Sequence, residues 1–183
     1  MGSGDRGRGA LNWEGALPAT DALLTAEAGI PLTILVADCA PVLLVDPVRR
    51  VLAVVHAGWR GALGGIASAA AREMVANTNS AIEDLHIGIG PTLCPPCLEI
   101  GEEVASAVED QFGARPLLRG TGKPHLDIRT LIAADLATVG VQAVQITHHP
   151  ACTRCQVARF FSHRAQLGQA GRFALVAWWK GEE

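Results

Sequence analysis

The chain has 183 residues, 49% of them hydrophobic and 18% charged, a composition that suits one domain with a substantial core. A net charge of -3, a pI near 6.1 and fifteen scattered Lys and Arg offer no basic face to nucleic acid, and no apolar run is long enough to span a bilayer or serve as a signal peptide. The expectation is a cytoplasmic protein that binds neither nucleic acid nor membrane, whose five cysteines are reduced and suited to metal ligation or catalysis rather than to disulfides.

Residues 1–18 hold five glycines and no apolar periodicity, which predicts a flexible lead, with residues 19–183 as a single domain. Residues 21–28 suit a short helix or an irregular turn. Pro31 opens an apolar run over 32–37 that predicts a strand buried on both faces, and Cys39 follows where it ends. Residues 42–46 and 51–55 are β-rich runs separated by Pro47, Val48, Arg49 and Arg50, the length and chemistry of a hairpin loop. If Asp46 faces Val51, Pro41 falls opposite His56. Cys39, two residues further out, then shares Pro41's face and comes within diagonal reach of His56. Gly58 and Gly61 flank Trp59 and Arg60 in an expected tight turn, and residues 62–76 follow as an Ala-rich helix.

A short strand is predicted over 85–89, and Gly90-Pro91 leads into a loop with Cys94-Pro95-Pro96-Cys97, where the prolines argue against regular structure. Ile100, Val104, Ala107, Val108 and Phe112 recur at helical spacing, with Glu102 and Glu103 in the first turn and Gly113 as the stop. A further helix carries Ile128, Leu131, Ile132, Leu136 and Val139, capped by Asp127 and ended by Gly140. Residues 141–147 read as a strand, 148–164 as a polar loop with Cys152 and Cys155, and 173–179 as a closing strand. Strands and helices interleave, but the early hairpin breaks any pure βαβ order. The predicted class is α+β, with mixed β-sheets covered by helices.

A Cys and a His on one face can ligate a soft or borderline metal, act as nucleophile and base, or pack as a buried thiol beside a satisfied imidazole. Arg60 could hold an anion beside them or stand in solvent. Asp38 and Asp46 could orient a ligand or a water, although on a regular strand Asp38 points away from Cys39 and suits a supporting hydrogen bond. Cys94-x-x-Cys97 and Cys152-x-x-Cys155 have the ligand type and pair spacing of a structural four-cysteine zinc site, with loosely packed thiols as the alternative. His148 and His149 are adjacent, so at most one serves a given site. His86 is expected to pack on its strand, and His125 to face the site or solvent.

Two segments, Ala37-Asp38-Cys39-Ala40-Pro41-Val42-Leu43-Leu44 and His56-Ala57-Gly58-Trp59-Arg60-Gly61, resemble the signature of the YfiH/laccase-domain family, also called multicopper polyphenol oxidoreductases or peptidoglycan editing factors. Downstream, Gly90-Pro91 through Cys97-Leu98-Glu99-Ile100-Gly101 resembles the family's Gly-Pro segment ending in Cys-Tyr-Glu-Val-Gly. Cys152-Thr153, Cys155 and Phe160-Phe161-Ser162 resemble its Cys-Thr and Phe-Phe-Ser-Tyr-Arg segment, closed by Gly171-Arg172. The likeness runs in order over about residues 19–179. Departures are Leu98 and His163 in place of Tyr, and Ala165 and Gln166 in place of Arg and Asp. His163 reads as a replacement ligand or an unrelated surface histidine.

The resemblance implies a YfiH-like fold of mixed sheets between helices, and one zinc or copper site of two histidines and a cysteine, with Cys39 and His56 aligned to two of the ligands. The third, in a Gln-Val-His-Gly motif upstream of the segment matching Asp21-Ala22-Leu23, has no counterpart, so the chain is expected to be N-terminally truncated relative to the family. An exposed edge would then need covering by a neighbouring segment or by another subunit of a homo-oligomer. The implied activity is phosphorolysis of adenosine, inosine, guanosine and methylthioadenosine, with adenosine deamination, so that purine nucleosides and phosphate are the expected small-molecule partners. Cys39, His56 and Arg60 are the expected catalytic residues. The rivals are a cysteine hydrolase or peptidoglycan-precursor editing enzyme using Cys39 and His56, and a non-catalytic truncated member. Polyphenol oxidase chemistry fits least, because several copper centres need many histidines and this chain has six, unclustered.

Overall fold

The structure, a computed structural model, describes residues 17–181, so the expected lead lies outside them except for its last two residues. The centre is a hairpin of β3 (Ala40–Asp46) and β4 (Val51–Ala57), in the register that faces Asp46 with Val51 and Pro41 with His56. Its loop closes because Asp46, buried at the strand end, accepts hydrogen bonds on Oδ1 from the Val48 and Arg49 N–H groups at 2.8 and 2.9 Å. Arg50 takes the left-handed conformation that brings the chain back. Asp46 therefore caps a turn, where the sequence had offered it as a ligand or water holder.

Around the hairpin, β1 (Ala22–Thr25) pairs with β4, and β5 (His86–Ile89) pairs with β3, both antiparallel. A parallel strand β8 (Ile146–His148) completes a five-stranded sheet in the order β1-β4-β3-β5-β8. A second sheet pairs β2 (Leu32–Val36) with β9 (Phe173–Ala177), and a small third one joins β6 (Leu117–Leu118) to β7 (His125–Leu126).

Among the described residues, four α-helices complete the fold: α1 (Trp59–Leu63), α2 (Ile66–Thr78), α3 (Glu102–Phe112) and α4 (Ile128–Ala137). Strand periodicity divides the core in two. Val51, Ala53 and Val55 of β4, with Val42 and Leu44 of β3, face the helices and pack with Met74, Leu131, Ile132 and Leu136. Leu52 and Val54 face the other way, onto Leu32, Ile34 and Val36 of β2. The layers thus run helices, central sheet, small sheet. His56 continues the face of Leu52 and Val54, which puts it on the small-sheet side.

Several elements differ from the sequence reading. Of residues 21–28, Ala22–Thr25 form an edge strand, because the outer side of β4 supplies a ladder partner from Val55 to Leu52 that no local signal announces. β2 is buried on one face only, with Leu35 60% exposed. The helix expected over 62–76 starts earlier, at Trp59, and breaks at Gly64-Gly65. Gly65 has φ +78°, and a Cβ there would stand 3.3 Å from Asp135 Oδ1. Asp135, buried on α4, accepts the Ser68 N–H at 2.9 Å and so caps the restarted helix from outside. The strand expected over 141–147 is shortened by a 3-10 turn at Ala143–Gln145. A 3-10 turn, Pro95–Cys97, also forms inside the proline-rich loop. Asp127 caps α4 as expected, accepting from the Arg129 and Thr130 N–H groups.

Candidate functional site

Cys39 lies in the link between β2 and β3, and His56 lies one residue before the end of β4, so both sit at the same end of the hairpin. The Cys39 thiol stands near enough to the imidazole to act on its protonation. His56 Nδ1 is engaged by Asp21 Oδ1 at 2.9 Å, which leaves Nε2 as the ring nitrogen for a metal or a thiol. The neighbouring Cys39 thiol is the largest influence on the imidazole. Partial burial opposes it and the Asp21 carboxylate reinforces it, and the pKa rises to about 9. A metal taking this nitrogen would have to displace that proton.

Gly58 clears the other side of the thiol, since a Cβ there would come within 3.2 Å of Cys39 Sγ. Arg60 is exposed on the first turn of α1, with its guanidinium stacked 4.1 Å from the Trp59 ring centroid. A thiol, an imidazole oriented by a carboxylate and the space left by a glycine suit two ligands of a zinc or copper site. Among the described residues, three or more convergent ligand atoms occur only elsewhere, at the four remaining cysteines.

Asp38 explains how Cys39 is held. Its backbone lies at φ +79°, so the chain is not a regular strand here. The buried carboxylate accepts from Thr153 Oγ1 at 2.6 Å and from the Arg164 N–H at 2.7 Å, while its carbonyl accepts from Thr92 Oγ1 at 2.6 Å. Asp38 is therefore a knot between the start of β3 and two distant loops.

Those loops carry the remaining cysteines. Thr92 bridges to Cys152 in a parallel pairing, and the Thr153 N–H donates to the Thr92 carbonyl at 3.2 Å. Arg129, from the first turn of α4, donates to the Ala151 carbonyl at 2.7 Å. Cys94, Cys97, Cys152 and Cys155 come together with all four Sγ atoms within 4.8 Å of one another, and none is in a disulfide. Burial raises the Cys94 and Cys97 thiols. It also pushes Cys152 up, but N–H groups of Cys94 and Cys155 and the neighbouring thiols outweigh it and bring Cys152 down to about 7.

The other histidines stand apart. His86 and His163 are exposed, and His86 is not packed as the sequence suggested. His149 accepts the Ala151 N–H at 3.1 Å and meets Phe160 edge-on. His125 is half-buried beside Glu99, with which it forms an isolated bridge. Sequence reasoning missed Asp21 as the partner of His56, and no motif signal marks it. It also missed the partners of Asp38, which a buried acid beside a candidate ligand could have prompted.

Residues 5–180 match the family described as multi-copper polyphenol oxidoreductase laccase. The chain is 37% identical over 163 residues to adenosine deaminase RL5 from an unknown prokaryotic organism, a match covering 87% of this chain and 62% of that protein. It is 34% identical over 172 residues to the purine nucleoside phosphorylase YlmD of Geobacillus stearothermophilus, covering 92% and 63%. The crystal structure of YlmD from that organism matches with a TM-score of 0.92 at 31% identity, over 99% of this chain and 68% of that one. Bacillus licheniformis hypothetical protein YfiH matches with the same TM-score, 0.92, at 31% identity over 98% and 69%. The α+β fold is thus shared with both. The chain spans just under two thirds of the length of these curated relatives, 62 and 63%. No helix among the described residues is long and apolar enough to cross a membrane.

Proposed function

Because the chain belongs to the multi-copper polyphenol oxidoreductase laccase family, we propose that it processes purine nucleosides at Cys39 and His56. The reactions are phosphorolysis of adenosine, inosine, guanosine and methylthioadenosine, and deamination of adenosine. The names of the relatives support the substrate class. The observation that carries the site is Cys39 brought beside His56 at one end of the hairpin, with the imidazole turned by Asp21.

Cys39 and His56 would hold a zinc or copper ion, which when bound supplies Lewis acidity at the substrate. In deamination, water adds at purine C6 and the amino group leaves as ammonia, giving inosine. In phosphorolysis, a phosphate oxygen attacks ribose C1′, the glycosidic C–N bond breaks, and the free base and ribose 1-phosphate result. Arg60 stands on an exposed turn four residues from His56 and suits the phosphate, with Trp59 as the surface that keeps its guanidinium extended. Asp21 fixes the imidazole tautomer in both reactions.

A second reading is favoured by one specific observation, because Cys39, His56 and Asp21 are also the thiol, base and orienting carboxylate of a cysteine hydrolase. Its substrate would be an amide or a peptide. The deciding experiment is chromatography of the products from adenosine with and without phosphate, using Cys39→Ala as control. Adenine or inosine that disappears in Cys39→Ala supports nucleoside processing. Products that persist in the variant, or no products from the intact protein, sink it. Full inhibition of an amidase activity by a thiol alkylator in metal-free buffer would establish the second reading instead.

A further inference from the structure

The four cysteines outside the Cys39 and His56 site are not used by either reading. Cys94 precedes and Cys97 ends a 3-10 turn made rigid by Pro95 and Pro96, while Cys152 and Cys155 open the long loop after β8. The two pairs lie 58 residues apart in sequence. Four thiol ligands around a tetrahedral zinc at about 2.3 Å stand about 3.8 Å from each other. Here Cys97 Sγ and Cys155 Sγ are 3.6 Å apart, Cys94 Sγ and Cys155 Sγ are 4.0 Å apart, and all six pairs fall within 4.8 Å. That spacing fits one ion.

The surroundings also suit thiolates. The Cys94 N–H points at Cys152 Sγ at 3.3 Å, a contact that stabilises negative charge on sulfur. Cys152 is buried, Cys94 and Cys97 are half-buried, and only Cys155 is exposed, so the ligands enclose the centre and leave one sulfur toward solvent. With all four ligands supplied by the protein, the site is closed and suits a structural rather than a catalytic role.

The geometry points to a tetrathiolate zinc site at Cys94, Cys97, Cys152 and Cys155 that clamps the loop after β5 to the loop after β8 and, through Asp38, sets the backbone that presents Cys39. Thr92 is two residues from Cys94, and Thr153 follows Cys152. Both hydroxyls end on Asp38, the neighbour of Cys39. The loop from 149 to 172 has no regular strand or helix of its own among the described residues, and such a segment needs a staple of this kind.

The test uses the full chain carrying His56→Ala, which removes the other candidate metal site, purified anaerobically. Elemental analysis should find one zinc per chain. Alkylation of the native protein should modify one thiol of the five, Cys39, and all five once an organomercurial has displaced the ion. Cobalt substituted for zinc should give the thiolate charge-transfer absorption of a tetrahedral tetrathiolate. Cys155→Ser should lose the metal, and Cys155→His, still a zinc ligand, should retain it, which separates ligation from a folding defect. The proposal is overturned if no metal accompanies the folded protein, if all five thiols react at once, if the metal found is iron, or if Cys155→Ser retains a full equivalent of zinc.

Discussion

The two cysteine centres of this chain are built in opposite ways. His56 sits at the end of a β-ladder and Cys39 in the link that leads into its partner strand, so the hairpin end brings them together, with space left by Gly58. The other four thiols sit on loops, and their separation depends on whatever holds those loops together. An open pair at a hairpin end suits chemistry, and a closed, loop-held tetrad suits stability. Asp38 joins them, because the loops of the tetrad supply the hydrogen bonds that fix the residue before Cys39.

If this division is right, losing the closed centre should cost stability far more than losing the open one. A crosslink between segments 58 residues apart is worth about 4 kcal/mol by loop-closure entropy. Cys152→Ser should therefore lower the melting temperature by roughly 10 °C, whereas Cys39→Ser should lower it by no more than a few degrees. Calorimetry of the two variants decides it, and equal losses would break the comparison.

Cutting the joint comes next. Asp38→Asn keeps a residue that tolerates φ +79° but puts an amide where the carboxylate accepted two hydrogen bonds, at an expected cost of roughly 2–4 kcal/mol. Denaturant unfolding measures that cost. Activity that depends on Cys39 should fall with it while zinc content stays at one equivalent. A variant as stable and active as the parent would mean that the two centres are independent.

How much of this was legible in the sequence follows the same division. The open pair could be read from period-two alternation and a four-residue loop, because a hairpin's register is a local property. The tetrad could be read as ligand type and spacing, but its convergence depends on packing between distant segments. The joint was legible only as a supporting hydrogen bond at Asp38, without its partners or its backbone conformation. Asp38 reaches partners 54, 115 and 126 residues away, and it does so from a left-handed conformation that the strand-like reading of its neighbourhood excluded. Asp21 was hidden for a related reason. Its segment resembled a helix or a turn, and it becomes a strand only because β4 has an open edge to pair with.

Asp21 separates function from stability at the open pair. Asp21→Asn removes an exposed carboxylate that packs little but orients the imidazole, so the expected loss is about 10–100-fold in metal affinity at Cys39 and His56. Stability should change by less than about 0.5 kcal/mol. Titration of the metal-free protein with zinc measures the first quantity. An unchanged affinity would assign Asp21 to the strand edge alone.

The smallest expected effect tests whether the space beside Cys39 matters. Gly58 has φ −70° and ψ 167°, ordinary extended backbone, so alanine meets no conformational barrier there and should leave stability level or raise it by about 0.4–1 kcal/mol. Its Cβ, however, would stand 3.2 Å from Cys39 Sγ, and the sulfur must shift by a few tenths of an ångström to make room. Misplacement by about 1 Å of a reacting group costs on the order of 100-fold in rate, so a displacement of this size should cost roughly 2–5-fold. The tetrad is remote from Gly58 in the chain and should keep its zinc. A Gly58→Ala enzyme that is slower but no less stable would confine the effect to the open centre. A loss of zinc or a fall in melting temperature would show that the open site is coupled to the clamp more tightly than the Asp38 contacts require.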